Sequence, residues 1–167
     1  MLRLFSAAVV ALATVAFGGT YEIDSSHAAA NFSVRHLGVS NVDAAHLAEA
    51  RTIAPVVAVQ NNFHVARRDD VAVLDACMAD GIAFAPFFPL GGGRGDIKHD
   101  RLAAVAARHN ATAAQIALAW LLALSPVTLA IPGTGSLAHL EENIAAGSIT
   151  LTPEDLADLH VTEGEQQ

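Results

Sequence analysis

From Gly38 onward, runs suited to buried strands alternate with runs suited to helices, and they do so four times. That alternation is the pattern of a parallel α/β protein. Residues 37–41 read as a short strand and 43–53 as a helix. Residues 56–63 read as a second strand, apolar until Gln60, as suits a strand covered on both faces. Residues 71–80 read as a helix closed by Gly81, a natural occupant of the left-handed position after a helix end. Residues 82–89 form a third strand, in which Pro86 and Pro89 confine ladder hydrogen bonding toward the end. After Gly91-Gly-Gly-Arg-Gly95, residues 99–109 and 113–124 are helical, with Thr112 and Gln115 in capping-box spacing. Residues 127–131 read as the fourth strand, followed by a helix over 137–146. Thr152-Pro-Glu-Asp155 then starts a last helix, with Pro at its first position and acids near its positive end.

Four strand–helix units are half of a (β/α)8 barrel. The expected fold class is therefore α/β, a partial TIM-type barrel, over residues 37–167. A half barrel has two open parallel edges, whose unpaired backbone groups invite self-association. The Gly91–Gly95 stretch suits either a loop that moves over a ligand or a plain linker.

The composition excludes several function classes. At 53% hydrophobic, the 167-residue chain is no disordered segment. Its net charge of −8 argues against a sequence-independent grip on nucleic acid, which needs Lys and Arg to neutralise phosphates. Cys77 is alone, so no internal disulfide forms, and among Val71, Val73, Leu74 and Met78 it reads as a core residue. The eight histidines lack HxH or HExxH spacing, so no metal site is expected.

Residues 1–19 have the pattern of a secretory signal. Arg3 precedes an uncharged apolar run from Leu4 to Phe17, and Ala16 and Gly18 are small residues at plausible cleavage positions. A buried N-terminal helix is the alternative. Export would make the chain periplasmic or secreted; without it, the chain is cytoplasmic. Residues 20–36 read as one extended strand, with Tyr21/Ile23 and Phe32/Val34 alternating with polar neighbours.

One string has its own chemistry: Ile131-Pro-Gly-Thr-Gly-Ser-Leu-Ala-His-Leu-Glu-Glu-Asn143. A β-type run ends in Pro-Gly and a hydroxyl-rich turn opens a helix. Free backbone N–H groups and the positive dipole end suit a phosphate there. Ser136 is placed to cap the helix and His139 lies one turn in, so both can face one anion. Ordinary helix capping explains the same residues.

Four blocks, Gly38-Val-Ser-Asn41, Val59-Gln-Asn-Asn62, Gly81-Ile-Ala-Phe-Ala-Pro-Phe-Phe-Pro-Leu-Gly-Gly-Gly93 and Ala114-Gln-Ile-Ala-Leu-Ala-Trp-Leu-Leu122, stand in order with that string. Together they resemble the C-terminal half of the aldo-keto reductases, over about residues 37–160. The resemblance implies that Ser40, Asn41 and Gln60 hold a nicotinamide carboxamide and that the Phe87 ring stacks on the nicotinamide, with Pro89 and Leu90 following. It places Gly133, Thr134, Ser136 and His139 around the phosphates, and Glu142 and Asn143 at the adenine. Gly133 stands where many members carry Lys and His139 where many carry Arg, which weakens selection of a 2′-phosphate. The implied cofactor is NADP or NAD. The family's Asp-Tyr-Lys-His set cannot be mapped: Tyr21 is the only Tyr and Lys98 the only Lys. A positioned proton donor typically contributes ~10²–10⁴-fold, so an oxidoreductase fragment with little activity alone is expected.

Residues 1–42 instead resemble the signal peptide and first strand of YceI-like polyisoprenoid-binding proteins. The chain thus reads as a chimera joined at Leu37-Gly-Val-Ser-Asn-Val42. Recombination, design and a sequence-assembly artefact all produce such a pattern. The alternative function is an exported lipid-binding remnant.

Overall fold

The computed structural model describes residues 20–24, 29–33, 37–93 and 100–160. The signal-like segment 1–19, Val34, Lys98 and residues 161–167 lie outside them. Strand β1 (Thr20–Asp24) pairs antiparallel with β2 (Ala29–Ser33), Thr20 opposite Ser33. The single N-terminal strand expected from the alternation is therefore a hairpin. It forms a two-stranded sheet of its own and adds no strand to the main sheet.

The main sheet is parallel, in the order β3 (Leu37–Ser40), β4 (Val56–Gln60), β5 (Ala83–Phe84). Helix α1 (Ala44–Ile53) links the first two strands and α2 (Val71–Asp80) the next two. Asp43 caps α1 by accepting the His46 amide at 2.7 Å. Gly81 closes α2 at φ 66°, the left-handed conformation a side chain would resist.

The third strand is shorter than expected and the fourth is reduced to one bridge, Phe84 to Thr128. The cause is local. Phe84 donates its amide to Val127 O (2.9 Å) and accepts from the Leu129 amide (2.8 Å). Ala85 turns the other way, donating to Val59 O at 2.8 Å. The next residue able to face the 127–131 segment is Pro86, which has no N–H, so the ladder stops.

Helices α3 (Asp100–Arg108), α4 (Ala113–Leu124), α5 (Leu137–Ala146) and α6 (Pro153–His160) complete the described chain. Thr112 and Gln115 form the expected capping box, with bonds of 3.2 and 2.9 Å. The core lies between the sheet and helices α1 to α4 and α6. Phe63 meets Phe84 edge-on at 5.6 Å and stacks on Trp120 at 6.0 Å. Leu47, Val59, Leu102, Ile116 and Leu121 fill the space around them. The Arg68 guanidinium covers the Trp120 ring at 4.7 Å and donates to the carbonyls of Val65 and Leu159, tying the end of α6 to the loop after β4. Cys77 is buried in this core; burial first, then the nearby Asp80 charge, pushes its thiol up to about 11. It is inert packing, not a nucleophile.

Candidate functional site

The ends of the parallel segments bring several predicted residues together. Ser40 ends β3 directly opposite Gln60 at the end of β4. The Ser40 hydroxyl donates to the Gln60 carbonyl at 2.7 Å, and the Asn41 amide nitrogen donates to the Ser40 hydroxyl at 3.1 Å. Asn41 also donates its backbone N–H to Gln60 O at 3.0 Å and turns the chain at φ 55°, which Asn tolerates well. These three residues are exposed at one edge of the sheet. The ties use the serine proton and one asparagine donor. They leave the Gln60 amide and the Asn41 carbonyl oxygen to face solvent, a donor and acceptor pair of the kind a primary carboxamide needs.

Asn61, which the sequence did not single out, is the reason this edge is firm. It is buried, accepts the Val42 amide at 3.2 Å and donates to Val42 O at 2.7 Å. Its side chain thereby acts as one more residue of β ladder between the β3 and β4 ends. Only its place in the Val59-Gln-Asn-Asn62 string hinted at it, and an Asn after a strand reads equally well as a turn.

The aromatic pair after β5 differs from expectation. Phe87, the ring that the resemblance sets against a nicotinamide, is half-buried, and its amide donates to Asn61 O at 3.0 Å. Phe88 is 56% exposed, at φ 54°, with its ring edge-on to Phe87 at 5.3 Å. Gly92 fits beneath it: a Cβ there would sit 3.1 Å from the Phe88 ring, and its φ of 62° is itself left-handed. Pro89 is buried and Leu90 is half-buried against the core, so these two anchor the loop. Asn62, His64, Arg67, Asp69, Phe88 and Gly92 line a cavity of about 630 Å³ beside this loop, which the sequence did not point to.

At the far end of the sheet, Ser136 caps α5 by accepting the His139 amide at 3.4 Å. Thr134 accepts the Ser136 amide at 3.1 Å and its hydroxyl lies 3.4 Å from Ser136 O. The capping reading of this string is therefore present in full. It is compatible with an anion, because the cap satisfies one first-turn amide and the exposed Leu137 and Ala138 amides precede it. Gly133 and His139 are exposed; Glu142 and Asn143 are half-buried, and Glu142 O accepts from the Gln115 side chain at 3.3 Å. A group of three or more His, Cys, Asp or Glu side chains able to hold a metal is absent among the described residues.

A profile of the Aldo/keto reductase family matches residues 33–162. The chain belongs to the aldo/keto reductase family. Its relatives include pyridoxine 4-dehydrogenase of Escherichia coli K12, 52% identical over 126 residues, which are 75% of this chain and 44% of that protein. An uncharacterized oxidoreductase of Schizosaccharomyces pombe is 43% identical over 75% of this chain and 41% of its own length. Among solved structures, an aldo-keto reductase from Klebsiella pneumoniae in complex with NADPH is 31% identical, with a TM-score of 0.67 over 75% of this chain and 47% of that one. The aldo/keto reductase chain described here thus spans about half the length of the relatives it matches. Its strands superpose on part of a TIM barrel, in which ligands bind at the C-terminal ends of the strands. Ser40, Gln60, Phe87 and the 133–136 turn all stand at those ends.

Proposed function

We propose that this chain is the dinucleotide-binding half of an NAD(P)H-dependent aldo-keto reductase-type oxidoreductase. The observation that carries the reading is the Ser40–Asn41–Gln60 cluster, set in register at the C-terminal edge of the same sheet whose last segment leads into the Ser136-capped helix. A reduced nicotinamide, when bound, supplies a hydride to a carbonyl carbon. The chain's own residues bind and orient. Gln60 and Asn41 meet the carboxamide, and the half-buried Phe87, with the exposed Phe88 ring edge-on to it, is the aromatic group beside the nicotinamide. The amides at the start of α5, with Thr134, meet phosphate oxygens. Glu142 and Asn143 both lie between one and two turns further along α5, on the side of the adenine. With Gly133 and His139 in place of fixed cations, the site admits both NADP and NAD.

The family's proton donor has no counterpart among these residues. The only Tyr is Tyr21, in the hairpin, and the only Lys is Lys98. Dinucleotide binding without efficient carbonyl reduction is therefore the expected behaviour of this chain alone. Titration of the full chain with NADPH, read by nicotinamide fluorescence, is expected to saturate. Incubation with NADPH and simple aldehydes is expected to leave absorbance at the buffer rate. Absence of saturable binding contradicts the binding half of the reading, and robust turnover by the unaided chain contradicts the other.

A further inference from the structure

Helix α6 is fastened at its two ends by contacts that respond differently to a proton. At its start, Asp155 accepts His109 Nε2 at 2.7 Å and two bonds from Arg108, which also reaches Asp158 at 2.7 Å. A carboxylate accepts an N–H from neutral and from protonated imidazole alike, so that end holds when His109 takes up a proton. At its finish the roles are reversed. The Arg68 guanidinium donates to the carbonyls of Leu159 and His160, the second at 3.3 Å, and its Nη1 lies 3.1 Å from His160 Nδ1. A guanidinium has donors only, so Nδ1 is the acceptor and the ring is neutral, with its hydrogen on Nε2. A second proton has to go to Nδ1, the atom that the Arg68 bond occupies. It removes that bond and sets two cations against each other.

A helix end ordinarily welcomes a protonated histidine. Here Arg68 already takes the last two carbonyls, so the cation's place is filled. The groups around His160 offer no compensation. From the loop after β4 it faces Arg68, and from α4 the uncharged Trp120 ring, at 6.3 Å. On α6 itself, Asp155 and Asp158 are engaged by Arg108 and His109, at the α3 end. Burial first, then the Arg68 charge, holds this imidazole below its ordinary value. The residue is exposed, so solvent protons reach it. We infer that Arg68 and His160 form a proton-released latch: when His160 is protonated, Arg68 lets go of the end of α6 and the 61–70 loop loosens, while the start of α6 stays fastened. That loop opens with Asn61, which ties the β3 and β4 ends together. The latch needs no nucleotide and does not rest on the proposed function.

Trp120 is the chain's only tryptophan, and the Arg68 guanidinium lies 4.7 Å from its ring centre, so the full chain carries its own reporter. Its emission is expected to change between about pH 7.5 and about pH 5.5, with a midpoint below the ordinary imidazole value of 6.5. Over the same interval the His64 and Arg67 amides, which bond each other's carbonyls across the loop, are followed by hydrogen exchange. Corrected for the intrinsic chemical rate, their exchange is expected to speed about two- to tenfold, as the loss of one hydrogen bond allows. The Thr152 and Asp155 amides at the start of α6 are expected to keep their rates. His160→Gln keeps a neutral acceptor at an exposed position and is expected to abolish both changes. A step in emission and exchange that survives in His160→Gln overturns the proposal. So does a parent chain without the step, or one in which the Thr152 and Asp155 amides loosen equally.

Discussion

Asp155 is a carboxylate removed from water and then fully occupied. Its Oδ1 accepts two bonds from the Arg108 guanidinium, at 2.9 and 2.7 Å. Its Oδ2 accepts from His109 Nε2 at 2.7 Å and from the amide and hydroxyl of Thr152 at 2.9 and 2.8 Å. Burial pushes this carboxyl up, but the bonds from His109, Thr152 and Arg108 outweigh burial and hold it well below the usual carboxylate range. The sign of the pH effect follows. A group whose folded pKa is depressed stabilises the fold above its unfolded value, here near 3.8, and that contribution is lost as pH falls toward the folded value. His160 acts in the same direction: burial and the Arg68 charge lower its pKa, so its share fades as pH falls through the usual imidazole range. The urea midpoint is therefore expected to drop on acidification, most steeply below pH 4. Asp155→Asn should lower the unfolding free energy at pH 7 by about 1.5–3 kcal/mol, the worth of charged hydrogen bonds in a buried site, and flatten the limb of the midpoint curve below pH 4. A variant with an unchanged acid limb would show that another carboxylate governs it.

At the scale of elements, local chemistry set most of what forms. Helix α2 runs over residues 71–80 as its pattern requires, and Gly81 ends it in the left-handed region. Helix α4 starts where Thr112 and Gln115 say it should. Strand lengths were less legible, because a ladder depends on both partners. Pro86 was visible in the sequence, but only the pairing shows that the donor it lacks is the one the 127–131 segment needs. The N-terminal hairpin was missed because alternation marks extended chain and says nothing about where it folds back. The aromatic pair shows the same gap: two adjacent Phe residues are interchangeable in a pattern, and only the structure shows that Phe87 is the more buried of the two. Of the candidate site, the residues at strand ends were recognisable from motif order, whereas Asn61 and the Asn62–Gly92 cavity depend on contacts between distant segments. The capping box gives a direct test at this scale. Thr112→Ala is expected to cost about 1 kcal/mol in urea unfolding. Asp70→Ala should cost much less, since Asp70 precedes α2 without a side-chain cap bond.

At the scale of the molecule, the described residues of this aldo/keto reductase chain hold a parallel sheet whose strand ends carry the proposed dinucleotide site. Ser40, Asn41 and Gln60 sit at one end of that site, and the turn into α5 sits at the other. The proposed dinucleotide would touch both. Amide chemical-shift mapping of the full chain during NADPH addition is predicted to move Ser40, Asn41, Gln60 and Phe87 together with residues 133–139, along one titration curve. Shifts confined to the Asn62–Asp69 cavity, or movement of the 133–139 turn without the Ser40–Gln60 cluster, would contradict the account.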